Sequence, residues 1–317
     1  MIVSSSARIN CIGVLVVDAL SGPLDGYPVP KKRTQVVTQS VRFAAGGGSA
    51  NAGCALARMG LKARIFSKVG DDPNGAFLRA ELARCGVDTS GIRVDPAATT
   101  PFTFVGIHPD GERTFIHTPG ANLSFGAGDI DAHAATDADF VLYTDCWVLP
   151  AFDGDPAAAL LAAARRRGAV TLLDECWGLG PRRDVLEAML PHCDYFLPSR
   201  DDMAALFPGL GSEALAAELL AMGARCVVVK QGADGCFAAD GRGGQQIPAL
   251  PARVVDTTGA GDCWNAGFIA GLAAGLPVAD AARTGHACAA FCVEHVGGAA
   301  GIPSWETVLQ RAELKGS

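Results

Sequence analysis

The chain has 317 residues, 49% of them hydrophobic and only 19% charged, which is enough apolar mass for a large core and too little charge for a disordered, solvating chain. A formal net charge of −7, with no basic run longer than Arg165-Arg166-Arg167, offers no footprint for a nucleic-acid backbone and argues against an anionic membrane surface. Eleven cysteines, an odd number with no CxxC pair, follow apolar patterns as small buried hydrophobes do, so a reduced cytoplasmic protein is expected rather than a disulfide scaffold or a zinc site.

In chain order, "RINCIGVLVV" reads as a first strand ending at Asp18. The opening twenty residues carry one basic residue and an apolar stretch interrupted by Asp18, unlike a secretory signal. Thr34 to Phe43 ("TQVVTQSVRF") alternates as a strand does. "AAGGGSANAGCALARMG", Ala44 to Gly60, is a glycine cluster opening a helix that Gly60 closes. Gly47 and Gly48 would let a ligand lie against the backbone, and Asn51 offers a donor and an acceptor, which suits sugar hydroxyls. Asp18 would face the same crevice and accept from two vicinal hydroxyls. Taken singly, Asn51 reads equally as a turn or cap residue and Asp18 as a strand-end turn.

"ARIFSKVG" then reads as a strand and "GAFLRAELARCG" as a helix closed by Gly86. Thr103 to His117 ("TFVGIHPDGERTFIH") reads as two strands about a turn at Pro109-Asp110-Gly111. No helix lies within this stretch or within Thr34 to Phe43, so the two predict a small antiparallel sheet standing off the main one as a lid or an oligomer contact. His117 is a candidate to hydrogen-bond an acceptor, or else a half-buried strand histidine. From "DFVLYT" through "DPAAALLAAARRRG", "AVTLLD", "DYFLP" and "ALAAELLAMG" to "RCVVVK", strands alternate with helices, which implies a parallel sheet covered on both faces. The most apolar window, Gly267 to Ala282, is glycine-rich, is broken by Pro277 and Asp280, and is too short to span a bilayer.

The stretch Asp256 to Phe268, "DTTGAGDCWNAGF", carries the chemistry. At Gly259, Ala260 and Gly261 the backbone is nearly bare before a helical pattern, and helix N-termini attract anions. A phosphate could approach those N–H groups closely, and Asp262 beside it would be misplaced unless it accepts a proton. Phosphoryl transfer to an alcohol needs that pair: N–H donors for the moving phosphoryl group and a carboxylate for the hydroxyl proton. A glycine turn entering a helix that a first-turn Asp stabilises is the structural alternative. No Gly-Lys pair, GxGxxG, HExxH or GxSxG occurs, so other nucleotide-binding and hydrolytic motifs are absent.

Together, "GGGSANAGCALARMG" with the following "KVG" and the late "DTTGAGDCWNAGF" resemble the two signatures of the ribokinase-like (PfkB) carbohydrate kinases, over nearly the whole chain. The resemblance implies one ribokinase-like kinase domain over 1–317: a three-layer α/β/α fold with a mostly parallel central sheet and a small antiparallel β lid inserted from about 34–43 and 103–117. It implies ATP and Mg²⁺ as cofactors, Asp262 as catalytic base, and Gly259, Ala260 and Gly261 as anion hole. Asp18, Gly47, Gly48 and Asn51 fall on sugar-binding positions, joined by His117 from the lid. "VVVKQGADG" falls on the nucleotide loop, placing Lys230, Gly232 and Gly235 there, and His286 falls where the family contacts adenine. Asp256 and Thr258 match positions that hold a monovalent cation in some relatives, so K⁺ is a further expectation. One departure stands out: where the family has Asn-x-x-Glu to organise Mg²⁺, "LPSRDD" supplies Ser199 and Asp202, which predicts weaker metal organisation.

Gly48 and Ser49 stand where sugar-phosphate kinases often carry Lys, and a second phosphate needs a nearby cation. A small neutral sugar is therefore the expected acceptor. A nucleoside, or a catalytically silent sugar or nucleotide sensor on the same fold, are the alternatives, and the intact Asp262 speaks against the sensor. A homodimer through the β lid is the expected assembly.

Overall fold

β-branched runs bounded by glycines become strands here, and the alanine-rich stretches between them become helices. A computed structural model describes residues 7–22, 37–108, 113–176, 178 and 180–314. The strands are β1 (Arg8–Ile12), β2 (Val16–Gly22), β3 (Ser40–Gly46), β4 (Lys62–Gly70), β5 (Asp88–Asp95), β6 (Phe102–Ile107), β7 (Arg113–Thr118), β8 (Phe140–Cys146), β9 (Val170–Glu175), β10 (Tyr195–Phe196), β11 (Cys226–Lys230), β12 (Cys236–Asp240) and β13 (Gly243–Ile247). The α-helices are α1 (Gly48–Arg58), α2 (Pro73–Arg84), α3 (Ala132–Thr136), α4 (Asp155–Arg166), α5 (Arg183–Met189), α6 (Arg200–Met203), α7 (Ser212–Ala221), α8 (Ala260–Ala273), α9 (Val278–Val293) and α10 (Trp305–Arg311).

The large sheet runs β13-β12-β11-β10-β9-β8-β1-β4-β5, parallel from β11 to β5 and antiparallel at the β11-β12-β13 edge. Its strands are apolar on both faces: β8 is buried throughout, and so is most of β4. Helices α1, α2, α8, α9 and α10 cover one face, around Ile9, Ile65 and Phe268. Helices α3 to α7 cover the other, around Tyr143, Phe152 and Phe196. Each such fully buried side chain contributes about 1.5–3 kcal/mol. Local signals set the helix ends. Asp72 accepts the Gly75 N–H at 2.8 Å and Pro73 opens α2, where its missing N–H costs nothing.

The smaller sheet runs β3-β2-β6-β7, with antiparallel outer pairs and a parallel β2–β6 pair at its centre. It contains a strand that the sequence reading merged with its neighbour. "RINCIGVLVV" splits at Gly13, whose backbone crosses so close to Thr144 that any side chain there would collide with the Thr144 hydroxyl. The chain leaves the large sheet at that crossing and enters the lid as β2, so Asp18 lies inside a lid strand rather than at the end of β1. The first predicted lid strand starts later than expected and runs on to Gly46. Its residues 34–36, and the predicted turn at 109–111, lie outside the described residues.

No helix among the described residues is long and apolar enough to cross a membrane. All eleven cysteines are unbonded and nine of them are buried, in line with their apolar patterns.

Candidate active site

In an open α/β sheet, ligands bind beyond the carboxyl ends of the strands. Here the ends of β9 and β11, the turn into α6 and the N-terminus of α8 enclose a cavity of about 310 Å³. Ser199, Asp202, Lys230, Gly232, Gly235, Ala260, Gly261, Asp262 and His286, all named from the sequence, line it. Asp174, Glu175 and Trp264 line it too, and the sequence reading had passed them over. Larger cavities, of about 630 and 510 Å³, lie elsewhere, one beside the β12-β13 edge and one against β5.

Gly259 caps α8 in the left-handed region at φ +72°, and a Cβ there would come within 2.8 Å of Asn51 Nδ2. Both facts require glycine. The Ala260 N–H turns back to the Thr257 carbonyl at 3.3 Å, so Ala260 lends the turn its shape more than a donor. The N–H groups of Gly261 and Asp262 meet no backbone acceptor among the described residues and open on the cavity. A Cβ on Gly261 would lie 3.4 Å from Lys230 Nζ, which puts an ammonium against the bare turn.

Asp262 is the hub. Asn51 Nδ2 donates to its Oδ2 at 2.9 Å, joining the amino-terminal glycine helix to the late one across 211 residues. Burial pushes its carboxyl up to about 6, Asp174 pushes the same way, and the Asn51 amide and Lys230 hold it down. Lys230 Nζ donates to Asp174 Oδ1 at 2.8 Å and to Asn265 Oδ1 at 3.4 Å, and Asn265 Nδ2 donates to Asp174 Oδ2 at 2.6 Å. Burial disfavours the ammonium, but Asp174 and Glu175 more than offset it and raise its pKa above the ordinary value.

At the wall of the cavity formed by α8 and α9, Trp264 Nε1 donates to His286 Nδ1 at 3.1 Å. That fixes the neutral ring as its Nε2–H tautomer, and burial pulls its pKa down to about 4. The ring is buried there, where the Ile247 backbone carbonyl faces it and Nε2 makes no close hydrogen bond among the described residues. Four acidic groups, Asp174, Glu175, Asp202 and Asp262, face Lys230. Ser199 N donates to Glu175 Oε1 at 2.6 Å, and the buried Glu175 carboxyl hydrogen-bonds the Asp202 carboxylate. Burial and Asp174 push the Glu175 carboxyl well above the ordinary range. Asp202 is raised too, chiefly by burial, with Lys230 opposing. Two carboxyls facing one another beside Asp174 suit a divalent cation that keeps its own waters.

On the other side of Asp262, Asp18, Thr103 and His117 stand opposite one another on β2, β6 and β7, one row on one face of the lid. The Thr103 hydroxyl and His117 Nδ1 are 2.9 Å apart. Asp18 is raised to about 6 by burial first and then by Asp256, while Thr103 lowers it. His117 is exposed on its strand rather than half-buried. Gly47, at φ +92°, and Gly48 are bare for a nearer reason than a ligand: side chains there would meet the Val14 carbonyl and the Asp145 carboxylate. Asp145, at the end of β8 and also missed, accepts from Gly48 N at 3.1 Å and Val14 N at 3.1 Å. It thereby anchors the N-terminus of α1, which has no side-chain cap of its own. Asp256 accepts from Thr258 N at 2.7 Å and Gly297 N at 3.0 Å, pinning the loop before α8.

The sequence pattern of the pfkB family of carbohydrate kinases matches residues 9–305. An ATP-dependent ribose-1-phosphate kinase of Halopiger xanaduensis is 31% identical over 293 residues, covering 91% of this chain and 90% of its own. A fructokinase of Klebsiella pneumoniae is 34% identical over 250 residues, covering 73% and 78%. Ribokinase of Arabidopsis thaliana, solved with ribose and ATP, superposes with a TM-score of 0.84 at 23% identity over 98% of this chain and 100% of that one, and so has the same fold.

Proposed function

The chain belongs to the pfkB family of carbohydrate kinases, and on that premise we propose that it transfers the γ-phosphoryl group of ATP to a hydroxyl of a small neutral sugar. The observation that carries this reading is the 2.9 Å bond from Asn51 to Asp262, which makes one site of the two glycine-led helices. ATP lies in the cavity with its adenine toward His286 and its phosphates along Gly232, Gly235 and the Gly259–Gly261 turn. The acceptor lies between α1 and the lid, its hydroxyls on Asp18 and Asn51, with His117 and the glycines at Gly47 and Gly48 behind it.

Asp262 takes the proton of the attacking hydroxyl as the bond to phosphorus forms. The free N–H groups at the head of α8 and the Lys230 ammonium stabilise charge on the phosphoryl oxygens. Ser199, Asp202 and the neighbouring carboxyls would hold Mg²⁺ through water, and the ion would neutralise phosphate charge. A K⁺ ion at the Asp256–Thr258 loop, and a cytoplasmic setting that keeps eleven thiols reduced, belong to the same reading.

ADP release, measured over a panel of pentoses, hexoses, nucleosides and sugar 1-phosphates with and without K⁺, tests it. Turnover with none of them would leave the silent sensor. A second reading, a phosphorylated sugar, is favoured by one feature: a cavity of about 210 Å³ beside Asn51 is lined by Arg42, Arg58 and Arg84. Glu81 lines the same cavity and holds Arg84 at 2.7 Å, which leaves Arg42 and Arg58 as the arginines facing it without a carboxylate ion pair among the described residues. Those arginines supply the cation that the glycine motif lacks.

Two predictions arise here. His286→Ala is expected to raise the KM for ATP about 3- to 10-fold, the worth of one neutral hydrogen bond, with the acceptor KM unchanged. Because His286 is neutral above about pH 4, that KM should be flat from pH 5 to 8 as far as this residue is concerned. The lid exposes Val41, Phe43, Phe115 and Ile116, which suits a second copy of the chain. Sedimentation should show a dimer that Phe43→Lys dissociates, and a monomeric wild type would remove the assembly.

A further inference from the structure

We propose that Glu175 is a positioning residue for the divalent cation of ATP, taking the part for which Asp202 is a short substitute. The inference rests on the reading of this cavity as an ATP site. Glu175 ends β9, one strand away from the segment that carries Ser199 and Asp202, and is 7% exposed. Its two oxygens are used unequally. Oε1 accepts the Ser199 N–H at 2.6 Å, while Oε2 meets no N–H or hydroxyl group among the described residues and the carboxyl turns instead to Asp202, to which it donates a hydrogen bond at the wall of the cavity.

Holding the Ser199 N–H needs only one neutral acceptor, which a glutamine would provide. A carboxyl group sets a second oxygen against Asp202 as well, and two such carboxyls can face one another only with a proton or a cation between them. The surroundings sharpen that demand, because Asp174 lines the same wall and Lys230 is the basic side chain among them. Lys230 is already bound to Asp174 at 2.8 Å. A hydrated divalent cation can take the place of that shared proton: its waters donate to both carboxylates, and its charge balances them. Glu175 also hydrogen-bonds the backbone of Ser199, so the carboxyl and the Ser199–Asp202 segment are held in fixed relation.

Calorimetric titration of ATP into the full-length protein, at a series of Mg²⁺ concentrations and in EDTA, separates metal from nucleotide. Glu175→Gln keeps the acceptor for Ser199 and removes the charge. The Mg²⁺ concentration that gives half of the gain in ATP affinity should rise about 10-fold or more, the usual scale for an outer-shell ligand. ATP affinity in EDTA should not fall. Glu175→Asp, which keeps the charge on a shorter arm, should shift the midpoint less, and Asp202→Glu in the Glu175→Gln background should restore part of it. Coincident Mg²⁺ curves for wild type, Glu175→Gln and Glu175→Asp would overturn the role of Glu175 and leave the ATP site standing. A wild type that binds no ATP at any Mg²⁺ concentration would overturn the site and the inference together.

Discussion

Asp262→Asn should lower kcat by at least about 10²-fold, and up to about 10⁴-fold, while the affinities for ATP and acceptor change little. The substitution is nearly isosteric, and its amide oxygen can still accept from Asn51 Nδ2, now at 2.9 Å from the carboxylate. What disappears is the capacity to take a proton. The same carboxyl sets the pH profile of the wild type. With a value of about 6, kcat/KM should climb about tenfold per pH unit below 6 and level off above it.

Stability runs the opposite way with pH. The folded value of Asp262 lies above the ordinary carboxylate value near 3.9, so folding favours the neutral form. The contribution is fully present below about pH 4 and is lost as pH rises through about 6. Asp262→Asn does not suffer that loss, so at pH 8 the variant should melt no lower than wild type, and the gap should close at pH 4. A variant that kept near wild-type turnover would remove Asp262 as the base. One that lost turnover together with ATP binding would assign it a structural part instead.

The glycine signatures could be read in the sequence because each encodes a local backbone demand. Gly259 at φ +72° and Gly47 at φ +92° occupy conformations that side chains resist, and the helices begin directly after them. The alternation of strands and helices was legible for the same reason, since its period is local. Two kinds of feature were not. The break between β1 and β2 is imposed by Thr144, on a strand more than 130 residues away, so hydropathy shows one continuous run across it. Asp145, Asp174 and Glu175 lie at the ends of strands β8 and β9, outside both glycine signatures, and reach the site only once the sheet has formed. "TDC" and "LLDEC" do place carboxylates at strand ends, where α/β sheets bind ligands, and that position was the available signal. The "LPSRDD" motif carries no trace of Glu175, because that carboxyl belongs to the adjacent strand rather than to the motif.

Lys230 shows why such a residue cannot be judged from its motif alone. In the sequence it closes the run "VVVK" before a glycine loop, a setting that does not say what its ammonium meets. In the fold its side chain is 13% exposed and its partner Asp174 4% exposed, at 2.8 Å. Lys230→Met should therefore cost about 3–5 kcal/mol in urea unfolding at pH 7, because Asp174 is left as a buried charge with only the Asn265 amide to meet it. Removing both charges together should be far milder. Lys230→Met combined with Asp174→Leu should recover most of that loss, since a buried ion pair is often no more stabilising than apolar residues that fill the same space. Activity should not recover, because the ammonium that faces the Gly261 turn is gone from both variants. A single substitution costing under about 1 kcal/mol would mean that the pair is effectively solvated. A double variant restoring turnover as well as stability would show that the lysine serves the fold and not the phosphoryl group.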